Sequence, residues 1–259
     1  MTRANLLAVS VGNTRTRVGA YVDGKLVESA TFINERHTRV MDSVKDAARP
    51  LRDHAEAPVV MSSVNPAVSS QMETELQGLG RPLYRVERDL PIPIGRQLDP
   101  EALVGEDRLL NAAGAFDVLK QAAVIVDAGT AMTVDLVDGA GTFHGGAILP
   151  GAQLMLDSLT QRTALLPEVE LSRPTETVGH STVEAMLSGV YYGQRGAVRE
   201  LVERFADAAG QYPLVVATGG DADLLFREWD LVDRIVPDLT LMGLEVTLRV
   251  ALERGREES

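Results

Sequence analysis

Two short segments of the chain repeat one pattern, an apolar β-type run followed by a turn that contains glycine and threonine. They are VSVGNT at residues 9–14 and VDAGT at residues 126–130. Such a turn presents backbone N–H groups and a hydroxyl beside a residue without a Cβ, which suits a phosphate. Asp127 could hold a cation beside that phosphate, whereas the first segment has the neutral Ser10 at the same position. A single turn of this kind is usually structural and serves only to end a strand. Two matched copies in one chain favour a phosphate site.

Two further segments could contribute to the same chemistry. TGG at residues 218–220 is a third glycine-rich strand end and suits a ribose or a flat ring packed against the backbone. GEDR at residues 105–108 places Asp107 and Arg108 at the start of a predicted helix. Asp107 could accept a proton from a substrate hydroxyl while Arg108 binds an anionic group, or Asp107 could only stabilise the helix N-terminus. Phosphate cradles, a cation and a base are the parts that phosphoryl transfer needs.

Alternating strands and helices must position these residues. Apolar runs and period-two alternation predict strands at residues 6–11, 17–22, 58–64, 83–86, 122–126, 130–137, 142–148 and 214–217. Helical spacing predicts helices at residues 37–54, 67–79, 102–120, 152–165, 182–208 and 239–254. Residues 90–100 contain three prolines and predict a loop.

The two turns belong to a longer repeat. Each leads into a second strand that ends in Asp-Gly, at residues 23–24 and 138–139, and the first of these is a strong hairpin signal. The repeat predicts a duplicated α/β unit with a cleft between its halves.

Composition narrows the class of protein. The chain has 259 residues, which allows one domain or two fused halves. Its net charge of -12 argues against nucleic acid and anionic membranes as partners. The absence of cysteine excludes disulfides, thiolate catalysis and Cys-ligated metals, and the four histidines are not spaced as metal ligands. The N-terminal apolar run is too short for a signal peptide or a spanning helix, so a cytoplasmic protein is expected.

Taken together, the motifs resemble those of type III pantothenate kinases, in the order in which that family has them and over nearly the whole chain. The matching segments are VGNT (11–14), SSVNP (62–66), GEDRLLNA (105–112), DAGTAMTVD (127–135), GGAILPG (145–151), TALLP (163–167), STVEAMLSG (181–189), TGGDA (218–222) and PDLTLMGL (237–244).

This resemblance implies the fold of the acetate kinase, hexokinase, Hsp70 and actin superfamily. That fold is α/β, with two ribonuclease-H-like (actin-like ATPase) halves and a nucleotide cleft between them, here residues 1–117 and 118–259. The resemblance also implies a homodimer that uses ATP, a divalent cation such as Mg²⁺, and K⁺ or NH₄⁺ as an activating monovalent cation. The implied reaction is phosphorylation of pantothenate, the first step of coenzyme A synthesis.

The resemblance carries specific roles to matching positions. ATP phosphates would meet the first turn, which comprises Ser10, Val11, Gly12, Asn13, Thr14, Arg15, Thr16 and Arg17. ATP would also contact Thr130, and its adenosine would lie near Gly219 and Gly220. Asp127 would bind the monovalent cation. Pantothenate would contact Gly105, Glu106, Asp107, Arg108 and Thr182, with Asp107 as the catalytic base.

The sequence departs from the family pattern at two places in the predicted site. Ser10 stands where the first motif has aspartate, and no tyrosine lies between Tyr84 and Asp107, where the family usually has one. Because the other motif residues are retained, we expect an active kinase in which water and the ATP phosphates hold the cation. The alternatives are an ATP-binding regulatory homologue with weak or no kinase activity, and a kinase of the same fold that acts on another small substrate.

Overall fold

A computed structural model describes residues 3–34 and 37–257, and the chain divides into two compact units. The first unit contains the chain up to Gly95, the segment Asp99–Val118 and the chain from Asp238 onward. The second contains Arg96–Leu98 and Leu119–Pro237. The final helix therefore belongs to the first unit. A duplication into halves 1–117 and 118–259 stays a prediction, because spatial grouping does not test ancestry.

The chain alternates between strands and helices, as its sequence predicts. In chain order the described strands are β1 (Leu6–Val11), β2 (Arg15–Val22), β3 (Lys25–Ile33), β4 (Val59–Ser63), β5 (Leu83–Arg85), β6 (Gly95–Arg96), β7 (Ala123–Ala128), β8 (Ala131–Val137), β9 (Thr142–Pro150), β10 (Leu214–Thr218) and β11 (Arg234–Ile235). The described α-helices are α1 (His37–Ala47), α2 (Pro66–Gln77), α3 (Glu106–Leu119), α4 (Ala152–Arg162), α5 (Thr182–Ala209), α6 (Ala222–Phe226) and α7 (Leu239–Glu257). A 3₁₀ turn at Arg49–Leu51 follows α1.

The sheet of the first unit, within the described residues, has the order β3-β2-β1-β4-β5. β1 pairs antiparallel with β2 and parallel with β4, so it lies at the centre and is buried along its whole length. One face of β1 carries Leu7, Val9 and Val11, which join a buried cluster with residues of α1 and α2. Period-two alternation then turns Ser10 to the opposite face.

The turn between β2 and β3 confirms the hairpin predicted from Asp23-Gly24. Asp23 has φ 51° and Gly24 has φ 72°, and Val22 pairs with Lys25 across the turn. Positive φ at both central residues is the signature of a type I′ turn, whose twist matches that of the flanking strands. Local sequence is therefore sufficient to set this register.

Helices α3 and α7 of the first unit cross at two glycines. A Cβ on Gly114 would lie 2.9 Å from Leu239 O, and a Cβ on Gly243 would overlap Leu110 O. The Thr240 hydroxyl donates to Asn111 Oδ1 at 2.7 Å inside this contact. The close approach fixes α3, and with it the GEDR segment at its N-terminus, against the last helix of the chain.

Arg249 of α7 links the same two helices by ion pairs with Asp117 of α3 and Glu245 of α7. Its guanidinium lies 2.7 Å from Asp117 and 3.3 Å from Glu245, and its side chain is 14% exposed. Burial raises the pKa of Glu245 above its usual range, although Arg249 lowers it. The cost of burying this carboxylate is therefore offset only while the guanidinium is present.

Arg249→Leu is expected to lower the free energy of unfolding by about 3 kcal/mol, because two carboxylates then lose a shared buried partner. The loss should be larger at pH 8 than at pH 5, because burial raises the pKa of Glu245 and protonation at the lower pH removes the unpaired buried charge. Urea denaturation at the two pH values would measure it. Arg254→Leu, on the exposed side of α7, is the matched control and should change stability by less than about 0.5 kcal/mol. Equal losses in the two variants would contradict the ion-pair explanation.

The described sheet of the second unit has the order β11-β10-β7-β8-β9-β6. β7 pairs antiparallel with β8 and parallel with β10. Val124 and Val126 of β7 pack into a buried cluster with α4, α5 and α6. The carboxyl ends of β7 and β10 consequently lie side by side, and these are the ends that carry the predicted turns.

Three short elements, β6, α6 and β11, were not predicted from the sequence. The helix predicted from residue 102 begins at Glu106, because Gly105 O accepts the first hydrogen bond, from Arg108 N at 3.1 Å. Upstream of it, Ala102 N donates to Asp99 O in a separate turn.

In the described chain, no helix combines the length and the apolar character that crossing a bilayer requires.

Candidate active site

The turn after β1 is closed by its own backbone. Gly12 N donates to Arg15 O at 2.9 Å, which brings the start of β2 back against the end of β1. A Cβ on Gly12 would lie 2.9 Å from the same oxygen, tighter than ordinary van der Waals contact. Glycine at this position therefore lets the turn close.

Asn34 holds this turn from the far end of β3. Its side-chain amide donates to Gly12 O at 2.8 Å and to Asn13 O at 3.1 Å, and its backbone N donates to Thr14 O at 2.9 Å. The Thr16 hydroxyl completes the group by donating to Asn34 Oδ1 at 2.8 Å. Asn34 is buried and was missed by the sequence analysis, since nothing local marks it as a partner of the turn.

The first-turn residues differ in what they present. Val11 and Thr16 are buried, so their side chains serve packing and the Asn34 contact. Arg15 is exposed at the start of β2, and Arg17 is half-buried and pairs in register with Ser10. Among the side chains predicted to meet phosphate, the two arginines carry positive charge.

Ser10 lies beside a second serine. It pairs in parallel register with Ser62 of β4, so both side chains are on the same face of the sheet. Ser10 is 9% exposed and Ser62 is 2% exposed. Ser62 Oγ is buried and has no hydrogen-bond partner among the residues that the structure describes. A buried hydroxyl without a hydrogen-bond partner is uncommon in proteins.

The GEDR segment forms the first turn of α3. Asp107 Oδ1 accepts from Arg108 N at 2.9 Å, and it lies 2.5 Å from where a Cβ on Gly105 would be. Glycine at 105 therefore makes room for the Asp107 carboxylate. An acid here also favours the helix N-terminus, so the geometry is compatible with both roles considered for Asp107.

Glu106 turns toward β4. Its Oε2 accepts from Ser63 N at 2.8 Å. Burial raises the pKa of Glu106, while the Ser63 N–H bond and the nearby Arg85 act in the opposite direction. The carboxylate is thus held by the protein backbone at the end of the strand next to β1.

The second turn, after β7, is held differently from the first. Gly129 N donates to Ala131 O at 3.1 Å, and Gly151 N donates to Thr130 O at 3.0 Å. A Cβ on Gly151 would overlap Gly129 O, so this glycine of the LPG segment allows the close contact. Thr130 itself is exposed.

Two threonine residues lie beside Asp127 in the sheet. It pairs in register with Thr133 of β8 and Thr218 of β10, which places the three side chains on one face. Thr133 Oγ1 is buried and has no hydrogen-bond partner within residues 3–34 and 37–257. A carboxylate next to two hydroxyls is a donor set that suits a hard cation. No group of three or more Asp, Glu or His side chains in the described chain could hold a metal by itself.

The glycines after β10 fold over the end of β7. Gly219 has φ 98°, which is unfavourable for any residue with a side chain, and a Cβ there would overlap Ala128 O. Asp221 N donates to the same Ala128 oxygen at 3.0 Å. Gly219 and Gly220 therefore begin a turn that lies directly against the end of β7 and the turn that follows it.

Thr182 is the first residue of α5. It follows Ser181, whose hydroxyl accepts from Glu184 N at 3.2 Å as the N-cap of the helix. Thr182 lines a mostly apolar cavity of about 330 Å³ between α4 and α5, together with residues such as Met155 and Met186. The second unit thus brings Asp127, Thr130 and Gly219 together at the ends of β7 and β10, and it places Thr182 at the start of α5.

Sequence comparison gives a consistent family. A family model described as type III pantothenate kinase matches residues 6–204. A type III pantothenate kinase of Frankia alni is 36% identical over 250 residues, which cover 93% of this chain and 97% of that protein. A type III pantothenate kinase of Rubrobacter xylanophilus is 34% identical over 264 residues, which cover 97% of this chain and all of that protein.

Solved structures share the fold at low sequence identity. A Baf family protein from Campylobacter jejuni has a TM-score of 0.63 at 17% identity, covering 96% of this chain and 100% of its own. An activator of 2-hydroxyisocaproyl-CoA dehydratase from Clostridium difficile, with bound ADPNP, has 0.56 at 16%, covering 98% and 96%. MreB5 of Spiroplasma citri bound to ADP has 0.52 at 10%, covering 99% of each chain. These similarities confirm the predicted actin-like ATPase fold class.

Proposed function

The chain belongs to the type III pantothenate kinase family, and we propose that it transfers the γ-phosphoryl group of ATP to a hydroxyl of pantothenate. The product is 4′-phosphopantothenate, and the reaction is the first step of coenzyme A biosynthesis. The observation that carries the proposal is the match to family members along nearly the full length of the chain. The two glycine turns at the ends of β1 and β7, where the family motifs lie, support it.

In the proposed mechanism Asp107 is the catalytic base. It accepts the proton of the attacking hydroxyl, and the helix turn of α3 keeps its carboxylate in place. Arg108 binds the carboxylate of pantothenate, and Gly105 gives the substrate close access to the backbone. Thr182 is the further predicted contact of pantothenate, whereas Glu106, which the sequence also assigns to the substrate, directs its carboxylate to Ser63 N.

Residues at the strand ends hold the nucleotide. The turn from Ser10 to Arg17 binds the phosphates through backbone N–H groups and its arginines, and Thr130 binds them from the second turn. The backbone at Gly219 and Gly220 is the proposed contact of the adenosine. ATP supplies the transferred phosphoryl group, and Mg²⁺ bound to its phosphates supplies charge neutralisation. At Gly12 and Gly219 the protein backbone occupies the place of a Cβ, so glycine allows both strand ends to form the closed turns that the proposed nucleotide site requires.

Asp127 is the proposed ligand of the monovalent cation, K⁺ or NH₄⁺. The buried Thr133 hydroxyl, which has no hydrogen-bond partner in the described residues, lies on the same sheet face and offers a second oxygen. Such a cation neutralises charge beside the phosphates. The fit rests on the oxygen chemistry of these residues.

A homodimer in the cytoplasm is the proposed state of the enzyme. Helices α4 and α5 and their connection expose apolar side chains, among them Leu154 (46%), Leu165 (91%) and Val183 (40%). Helices α4 and α5 pack on each other, and exposed apolar side chains on such neighbouring elements favour association. Light scattering of the purified protein should give twice the monomer mass of 27.9 kDa, and a monomer would contradict this part of the proposal.

The proposed activity is tested by ADP release with ATP, Mg²⁺ and pantothenate, with and without K⁺, and by mass spectrometry of the product. We expect K⁺-dependent formation of phosphopantothenate. ATP binding without product would favour a regulatory homologue, and turnover with another small hydroxyl compound would favour a different substrate.

Ser10→Asp tests how the chain manages without a carboxylate in its first turn. The variant should fold, because the Ser62 hydroxyl can donate a hydrogen bond to the new carboxylate. It should lower the Mg²⁺ concentration for half-maximal rate without loss of kcat, since a carboxylate is a better ligand for a hard cation.

A double-mutant cycle isolates the Ser10–Ser62 contact. In the natural chain, Ser62→Ala should leave the free energy of unfolding nearly unchanged. In the Ser10→Asp variant, the same substitution should lower it by about 1 kcal/mol. If a saturated wild-type assay gave no product while Ser10→Asp restored it, the expectation that serine is tolerated would be wrong.

A further inference from the structure

Residues 63–65, which connect β4 to α2, contact both predicted reacting regions of the first unit. At one end Ser63 N donates to Glu106 Oε2 at 2.8 Å, next to Asp107 in the first turn of α3. At the other end Asn65 Nδ2 donates to Asn13 O at 3.1 Å, inside the first phosphate turn. The segment therefore touches the start of α3 and the turn after β1 within three residues.

The connecting segment is itself fixed. Val64 N donates to Val11 O at 3.0 Å, which extends the pairing of β4 with β1. The Ser63 hydroxyl donates to Asn65 O at 3.1 Å and accepts from Asn65 N at 3.2 Å. Asn65 Oδ1 accepts from Val68 N as the N-cap of α2. Each of the three residues is held by at least one hydrogen bond, so a displacement at one end should be transmitted to the other.

A hydrogen bond holds the Glu106 carboxylate in this position against the cost of its burial. Burial opposes its ionised form, Glu87 and Asp107 repel it, and Arg85 and the Ser63 N–H attract it. Arg85 is in turn held by Glu73 at 3.1 Å and by Ser69 at 2.8 Å. The hydrogen bond to Ser63 is therefore the direct contact that offsets the burial of Glu106.

We propose that Glu106 is a positioning residue, which sets the location of the Asp107 carboxylate relative to the phosphate turn through Ser63 and Asn65. The inference rests on the proposed kinase function and refines the predicted role of Glu106, which was contact with pantothenate. Phosphoryl transfer depends on the distance between base, hydroxyl and phosphate, so a displacement of about 1 Å can lower the rate about 100-fold.

Two substitutions separate positioning from substrate contact. Glu106→Gln keeps an oxygen that accepts the Ser63 N–H but has no charge, and Glu106→Ala keeps neither. Both remove the same negative charge from the helix N-terminus, so that effect cancels in the comparison. We expect Glu106→Ala to lower kcat about 10- to 100-fold with little change in the KM of pantothenate. Glu106→Gln should stay within about threefold of the wild type.

Two kinetic outcomes overturn the proposal. Equal loss in both variants would mean that the charge itself acts, and a raised KM for pantothenate with unchanged kcat would mean substrate contact. Asn65→Ala provides the partner test. If Glu106 acts through Asn65, the loss in Glu106→Ala Asn65→Ala should be smaller than the product of the single losses.

Hydrogen exchange keeps the test independent of turnover. In Glu106→Ala, the amides of Ser63 and of the turn at residues 12–14 should exchange faster than in the wild type, and Glu106→Gln should restore their protection. Unchanged exchange at residues 12–14 in Glu106→Ala would overturn the proposal even if the chain had no kinase activity. Absence of wild-type turnover with the predicted exchange pattern would instead count against the proposed function alone.

Discussion

Asp107→Asn is expected to lower kcat for pantothenate phosphorylation by about 10²- to 10⁴-fold, the range for loss of a general base. Asparagine has the same shape, and its Oδ1 can still accept from Arg108 N, as Asp107 does at 2.9 Å. The first turn of α3 should therefore stay intact. Because the amide cannot accept a proton, the chemical step should slow while binding of ATP persists. Steady-state kinetics together with calorimetric titration of ATP would measure both effects.

The control for Asp107→Asn is Glu101→Gln, in the exposed segment before the helix. It also removes one negative charge, but the residue has no proposed contact with the reactants, so kcat should be unchanged. If Asp107→Asn kept more than a tenth of the wild-type kcat and lost mainly stability, Asp107 would be a helix N-terminal residue and not the base.

Gly219→Ala should destabilise the second unit by about 3 kcal/mol, because two separate penalties combine. The backbone at Gly219 has φ 98°, and the added Cβ would overlap Ala128 O at the end of β7. The backbone at Gly219 and at Ala128 must then move apart. This movement would weaken the hydrogen bond that Asp221 N donates to Ala128 O at 3.0 Å. Since the turn should also hold adenosine, the Kd for ATP should rise about tenfold or more.

Gly210→Ala separates the two penalties. Gly210 ends α5 with φ 65°, and a Cβ there meets no atom of the described chain within 4 Å. This variant should cost about 1 kcal/mol from the backbone conformation alone and leave ATP affinity unchanged. Thermal unfolding and ATP titration of both variants give the comparison. Equal stability losses, or ATP affinity unchanged in Gly219→Ala, would argue against the close contact at β7.

Much of the fold could be predicted because its signals are local. The runs at residues 6–11 and 214–217 were predicted as strands, and both are strands in the structure. Alternation and apolar runs report burial directly, and a glycine just after such a run reports a turn. The short elements α6 and β11 escaped prediction because five and two residues are too few for a periodic signal.

The candidate site was predictable at its turns but not at the groups that hold them. Gly12 and Gly219 were identified because glycine at a strand end is visible in the sequence. Asn34 was not, since it reaches Gly12 O across 22 positions and resembles any polar residue after a strand. Glu106 was predicted to face substrate, yet its carboxylate accepts from Ser63, 43 positions away.

The sequence by itself determined the order of the longer strands and helices, the two glycine turns, the hairpin at Asp23-Gly24 and the family to which the chain belongs. These features depend on neighbouring residues or on patterns along the chain. Only the tertiary structure decided that α7 packs on α3, that Ser62 lies beside Ser10, and that residues 63–65 contact both Asn13 and Glu106. Such contacts follow from strand register and close packing between distant segments, and a shift of one residue in register would turn each side chain to the other face.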